Sequence, residues 1–201
     1  MKIISEGQED SLKEVMNIAF SRAGAALSEL TGHRVILDVP QVNVYPIEEL
    51  QPALTGWLEE EVATVHQIFS GPVSGDAFLV MNQAGAISLV DLLTDGGGKR
   101  DRLFESDREV LNEVGNILLN ACLGTFGNML KVRITFAVPR VHLDAIDSLV
   151  DTLSIDDAEV LYALVFSTDF HIQENDISGF LVFVLGVTSL DLLLKGVDEL
   201  G

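Results

Sequence analysis

The pattern Glu, two residues, Asn, twenty-two residues, Pro occurs twice in this chain, 99 residues apart. The first copy is Glu14, Asn17 and Pro40; the second is Glu113, Asn116 and Pro139. The copies align without a gap, and the matches extend to Leu12/Leu111, Val15/Val114, Ile18/Ile117, Arg34/Arg133, Val39/Val138 and Val42/Val141. A period this long in 201 residues points to a duplicated half-domain rather than a solenoid of short units. Whatever one half folds into, the other must fold into as well. Shared packing accounts for the apolar matches. It does not account for the matched Glu and Asn, so function is sought there.

Hydrophobic periodicity sets out the halves. Leu12, Val15, Ile18, Ala19, Ala23, Ala26, Leu27 and Leu30 recur at helical spacing over residues 9–30, with Gly32 as a stop. Alternation over 34–45 predicts a strand, with Pro40 marking an edge or bulge. A short helix at 47–54, a hairpin from the apolar runs 57–69 and 77–81, and a helix at 84–93 follow. The second half repeats this order: a long helix capped by Ser106 and Glu109 and running to about Leu130, a strand at 132–141, a shorter helix within 143–153, a hairpin from 158–166 and 179–187, and a helix containing 190–194. The expected organisation is one domain of two repeats, about 1–95 and 104–201, joined by a Gly-rich linker at 96–103. The fold class is α+β, with α/β-type layers: pseudo-two-fold helix-strand-helix-hairpin-helix halves, their long helices packed on a mixed, largely antiparallel sheet.

Charge narrows the partners. The net charge is −19 with 12 basic residues, which disfavours nucleic-acid phosphates and anionic lipid. The most apolar stretch, 180–194, is interrupted by Asp191 and is short for a bilayer span, and residues 1–10 do not read as a signal peptide. A soluble, cytoplasmic protein with a protein partner is expected. The lone Cys122 lies in an apolar run and reads as a buried hydrophobe. Gly96-Gly97-Gly98-Lys99 lacks the leading Gly and following Ser/Thr of a phosphate loop. His33, His66, His142 and His171 have no metal-ligand spacing.

On a helix, Asp10, Glu14 and Asn17 form one polar stripe, and Glu109, Glu113, Asn116 and Asn120 form another. Leu12, Val15 and Ile18 should face the core and leave the stripe exposed. Glu14 and Asn17 are separated by about 4.5 Å along the axis, so both can engage one partner site. A carboxamide donates and accepts hydrogen bonds without charge and can hold a water in line with an electrophile, but it is no strong base. It therefore suits an electrophile that is already reactive, such as an acyl phosphate. The carboxylate suits docking to a lysine. No nucleophile or metal cluster stands nearby, so the partner must supply much of the active site. The structural alternative is that Ser11 and Glu14 form a capping box and that Glu113 is a solvated helix residue. Mid-helix Asn is mildly unfavourable, and its recurrence at one offset argues for use.

The pattern Asp/Ser-x-x-x-Glu-x-x-Asn followed after twenty-two residues by Pro resembles the signature of the CheC-type chemotaxis phosphatases, which include CheC, CheX and FliY. Asp10, Glu14, Asn17 and Pro40 match it in full; the second copy departs only at Glu109. Length and duplication are similar to CheC. The resemblance implies a pseudo-two-fold fold with both long helices exposed side by side, and a substrate, the aspartyl phosphate of the response regulator CheY. It implies that Asn17 and Asn116 orient the attacking water and that Glu14 and Glu113 pair with the regulator's active-site lysine. The Mg²⁺ of such a complex belongs to the regulator, so no cofactor of the chain's own is expected. CheC proteins also bind CheD. Both sites are expected to be competent. Met16 against Gly115 predicts a more filled first site and a second site that another backbone can approach closely. The competing reading is a non-catalytic module that sequesters the regulator or docks CheD or a flagellar-switch protein.

Overall fold

The computed structural model describes residues 3–39, 41–58, 61–94, 96, 101–145, 148–153 and 160–199. The first half runs α1 (Glu6–Thr31), β1 (Val35–Asp38), β2 (Val42–Pro46), α2 (Ile47–Thr55), β3 (Glu61–Ser70), β4 (Gly75–Asn82) and α3 (Gln83–Leu93). The second runs α4 (Glu105–Leu130), β5 (Thr135–Phe136), β6 (Arg140–Ala145), a 3₁₀ turn at Val150–Thr152, β7 (Leu161–Ile172), β8 (Asn175–Gly186) and α5 (Val187–Asp198). The long helices α1 and α4 each have 26 residues and start 99 residues apart. Residues 97–100 of the expected linker, Pro40 and parts of the 143–153 and 158–166 expectations lie outside the described residues.

Local chemistry explains the helix ends. Ser5 caps α1: its Oγ accepts the Gln8 N–H at 3.1 Å, and Gln8 Oε1 accepts the Ser5 N–H at 3.0 Å. The alternative box at Ser11 and Glu14 does not form, so Glu14 is a mid-helix residue. The helix stops at Gly32, whose φ of 71° glycine adopts without strain while its N–H donates to Ser28 O at 3.0 Å. At α4 the expected Ser106/Glu109 box is replaced by an earlier start, with the Asp107 carboxylate accepting the Phe104 N–H. In the 143–153 stretch, β6 continues to Ala145, and the 3₁₀ turn is the helical part described.

The strands form one sheet in the order β1-β7-β8-β4-β3-β5, with β2 also on β7 and β6 also on β3; each described pairing is antiparallel. The arms are exchanged between halves: β1 and β2 add to the second half's hairpin, and β5 and β6 to the first half's. The two hairpins meet at β4–β8, where Leu79 lies opposite Leu181 on a pseudo-two-fold. Each expected arm strand is split by a β-bulge. From Asp38 to Val42 the chain takes four steps while β7 takes three, from Asp169 to Phe166; from Phe136 to Arg140 it takes four while β3 takes three, from Phe69 to His66.

One face of the sheet carries α1, α4, α3 and α5, which bury Leu12, Phe20, Leu27, Leu118, Leu119 and Cys122 with Leu79, Phe166 and Phe183. Burial also pushes the Cys122 thiol pKa up, which keeps it protonated. The other face packs Leu50 and Leu54 of α2 against Phe78, Val80, Val182 and Val184. Helix-spaced apolar residues thus cover a sheet that is apolar on both faces.

The exchanged arm β1 is tied to the sheet by charge as well. His171 on β7 bonds Asp176 on β8 at 2.6 Å and Asp38 on β1 at 3.0 Å. The hydrogen bond to Asp176 raises the His171 pKa above the usual 6.5, slight desolvation opposes it, and Asp38 adds to the rise. A raised pKa means the bound proton stabilises the fold. That stability is full below pH 6.5 and is lost as pH rises through the folded pKa. Urea unfolding should therefore separate wild type from Asp176→Asn most below pH 6.5, with the difference closing at alkaline pH. A pH-independent difference would contradict the clamp.

Candidate functional site

The inward residues of α1, among them Leu12, Val15, Met16 and Ala19, are buried, which turns Asp10, Glu14 and Asn17 to the exposed side. Ile18, expected in the core, is instead 47% exposed and adds an apolar flank beside Asn17. On α4 the inward face is Leu111, Val114, Gly115, Leu118 and Leu119; Glu109 and Glu113 are exposed, and Asn116 and Asn120 half-buried. The two helices pack against each other, so both stripes belong to one side of the molecule.

The Met16/Gly115 asymmetry belongs to the core and not to the docking face. Met16 is fully buried, and a Cβ at Gly115 would run into Val65 of β3, whose own Cβ lies 2.8 Å away. Gly115 lets the helix approach the sheet, not a guest.

The second stripe borders a groove between α4 and the β5–β6 bulge, lined by Glu109, Glu113, Asn116, Asn120, Val138 and Pro139, with the buried Gln67 of β3 at its inner end. Pro139 is buried beneath it, whereas Val138 is 85% exposed at its rim. A run of amides crosses the groove: Gln67 Nε2 donates to Ala137 O at 2.8 Å and to Asn120 Oδ1 at 3.0 Å, and Asn120 Nδ2 donates to Asn116 Oδ1 at 2.8 Å. Gln67 Oε1 and Asn112 Oδ1 are buried there without a partner. The exposed carboxylates Glu109 and Glu113 suit a cationic group of a guest. Sequence reasoning placed Asn120 on the stripe but missed Gln67. Its signal was an amide inside the apolar run 62–69, where a buried polar side chain demands partners.

The first stripe is barer. Ser21, the repeat mate of Asn120, donates its hydroxyl to the Asn17 backbone carbonyl at 2.8 Å, and the Asn17 carboxamide has no partner among the described residues. Neither Glu14 nor Glu113 is in an ion pair among the described residues, so both carboxylates are available. Among the described residues, no group of three or more His, Cys, Asp or Glu is placed to hold a metal, and no helix is long and apolar enough to cross a membrane. Two other concavities, beside Trp57 and beside Tyr45, contain neither of the repeated Glu–Asn pairs. The geometry offers two outward carboxylate–carboxamide pairs, and the Ser21 hydroxyl beside the first is bonded to the Asn17 backbone carbonyl.

No family model matches the chain. It is 26% identical over 166 residues to the flagellar motor switch phosphatase FliY of Bacillus subtilis (strain 168), an alignment covering 82% of this chain and 43% of that protein. The chain thus spans less than half the length of that relative. It is 25% identical over 176 residues to the CheY-P phosphatase CheC of the same organism, covering 86% of this chain and 84% of CheC. Among solved structures, Thermotoga maritima FliY superposes with a TM-score of 0.79 over 98% of both chains at 16% identity. The FliG–FliM complex of H. pylori provides a neighbour with a TM-score of 0.66 at 13% identity, covering 96% of this chain and all of that one. The structural likenesses show a shared fold.

Proposed function

We propose that the chain, which is similar to CheC and FliY over more than four-fifths of its length, hydrolyses the aspartyl phosphate of a CheY-like response regulator in the cytoplasm. The observation that carries this reading is the pair of outward carboxamides, Asn17 and Asn116, each one helical turn after an exposed carboxylate, Glu14 or Glu113. An acyl phosphate needs only a well-placed water to hydrolyse, and a positioned amide supplies that placement without acting as a base. Glu14 and Glu113 dock the regulator's lysine, and the Mg²⁺ of the reaction stays on the regulator. Asp10 and Glu109 lie one turn earlier on the same stripes and shape the approach. The bulge holding Pro139 walls the second groove; Pro40 stands at the matching sequence position.

Purified regulator phosphorylated with a small phosphodonor is expected to lose phosphate faster when substoichiometric amounts of the chain are added. Saturable binding with an unchanged phosphate lifetime would replace this reading with the docking module, whose candidate partners then include CheD and a flagellar-switch protein. The fold shared with FliM, which is seen in complex with FliG, supports that second reading.

A further inference from the structure

We infer that Gln67 and Asn120 are positioning residues that hold the Asn116 carboxamide with its nitrogen toward the groove, a pre-ordered donor that the first site lacks. The catalytic part of this inference rests on the proposed phosphatase reading.

The polarity of the amide run is set by the backbone. A carbonyl oxygen can only accept, so the side chain facing Ala137 O must present N–H. Gln67, 1% exposed, does so with Nε2, and spends its second N–H on Asn120 Oδ1. Turning the Gln67 amide over would set oxygen against oxygen. Asn120 must then present Nδ2 to Asn116, which receives it on Oδ1. What remains of Asn116 is Nδ2, which has no partner among the described residues and so offers both N–H groups to a guest. Ala137 is itself held, donating its N–H to Ile68 O at 2.9 Å where the β-bulge turns its carbonyl toward Gln67. The bulge, the buried Gln67 and the helix thus act as one device. A donor fixed before the guest arrives loses no rotamer freedom on binding and can hold a water or phosphoryl oxygen in one place.

The first half cannot build this run. Ser21 replaces Asn120 and bonds to the backbone of Asn17 rather than to its amide. Val42 pairs with Phe166 as its repeat mate Val141 pairs with Val65, so Thr168 stands where Gln67 does. The Thr168 hydroxyl is buried without a partner and is too short to span to the helix stripe.

The test uses the full chain carrying Asn17→Ala, so that the second site alone is read. Adding Asn120→Asp keeps the shape and the bond from Gln67 but removes the donor to Asn116. Adding Asn120→Ser installs the residue of the first half without new charge. Both are expected to lower kcat about tenfold or more while leaving KM and the thermal midpoint in place. Unchanged kcat in both would overturn the inference, as would complete loss of activity in Asn17→Ala alone. A second readout needs no turnover: in nuclear magnetic resonance of the free chain, the Asn116 side-chain amide should be rigid, the Asn17 amide mobile, and Asn120→Ser should make the two alike. Equally mobile amides in wild type would refute the positioning whatever the activity. A wild-type chain without phosphatase activity but with a rigid Asn116 amide would refute the phosphatase reading and leave the positioning standing.

Discussion

Alanine at both Asn17 and Asn116 is expected to abolish the accelerated loss of phosphate from the regulator, with a drop of about a hundredfold or more in the added rate. The size follows from what is removed. With Glu14 and Glu113 engaged by the regulator's lysine, the placement of water is most of what the chain contributes, and alanine leaves no group to do it. The fold should survive. Asn17 is exposed and makes no side-chain hydrogen bond among the described residues, and alanine is the better helix former. Asn116 loses one bond, from Asn120, worth about 1 kcal/mol. Circular dichroism and the urea midpoint should therefore move little while activity disappears. Each single variant should keep part of the rate, because the sites lie on different helices. A double variant that dephosphorylates the regulator as fast as wild type would remove both carboxamides from the mechanism.

The largest effect on stability is expected from Gly75→Ala. Gly75 opens β4 at the seam between the two hairpins, opposite Leu185. An added Cβ would run into the Val184 carbonyl oxygen and press on Phe69 Cζ at 3.1 Å and Leu185 Cδ2 at 3.2 Å. The side chains can shift, but the carbonyl belongs to a strand held on both sides by β4 and β7. Relief requires moving β8, at a cost of about 3 kcal/mol. Gly124→Ala is the control. It lies inside α4 with nothing within 4 Å of a new Cβ, so alanine should stabilise the chain by about 0.5–1 kcal/mol through helix propensity alone. Urea unfolding of the two variants should give shifts of opposite sign. Near-equal midpoints would mean that the seam has slack where the structure has none.

Much of this was legible because it is local. Apolar residues recurring every third or fourth position gave α1 and α4 to within a few residues, and the apolar runs 57–69 and 77–81 gave the first hairpin. The outward stripes followed from the same periodicity. Ile18 escaped it because a position at the edge of an apolar stripe is buried only if a neighbour covers it, and the described residues leave it 47% exposed. The Ser-x-x-Glu patterns at Ser11 and Ser106 are not the caps, because such patterns recur by chance along polar helix starts; geometry chose Ser5 with Gln8 and Phe104 with Asp107. The arm exchange was invisible: the alternation of Val35, Leu37 and Val39 tells which face is buried but not whose strand lies alongside. The amide run was hidden for the same reason, since Gln67 and Asn120 are 53 residues apart and meet only through the sheet.

The crossing of the arms also bears on origins and on severance. Each half lends its leading strands to its sibling, so neither owns a finished sheet; a single ancestral unit of this design would have needed a twin to close it. Fusing two such twins end to end turns an encounter between molecules into a tether, after which each copy of the helix stripe can drift by itself.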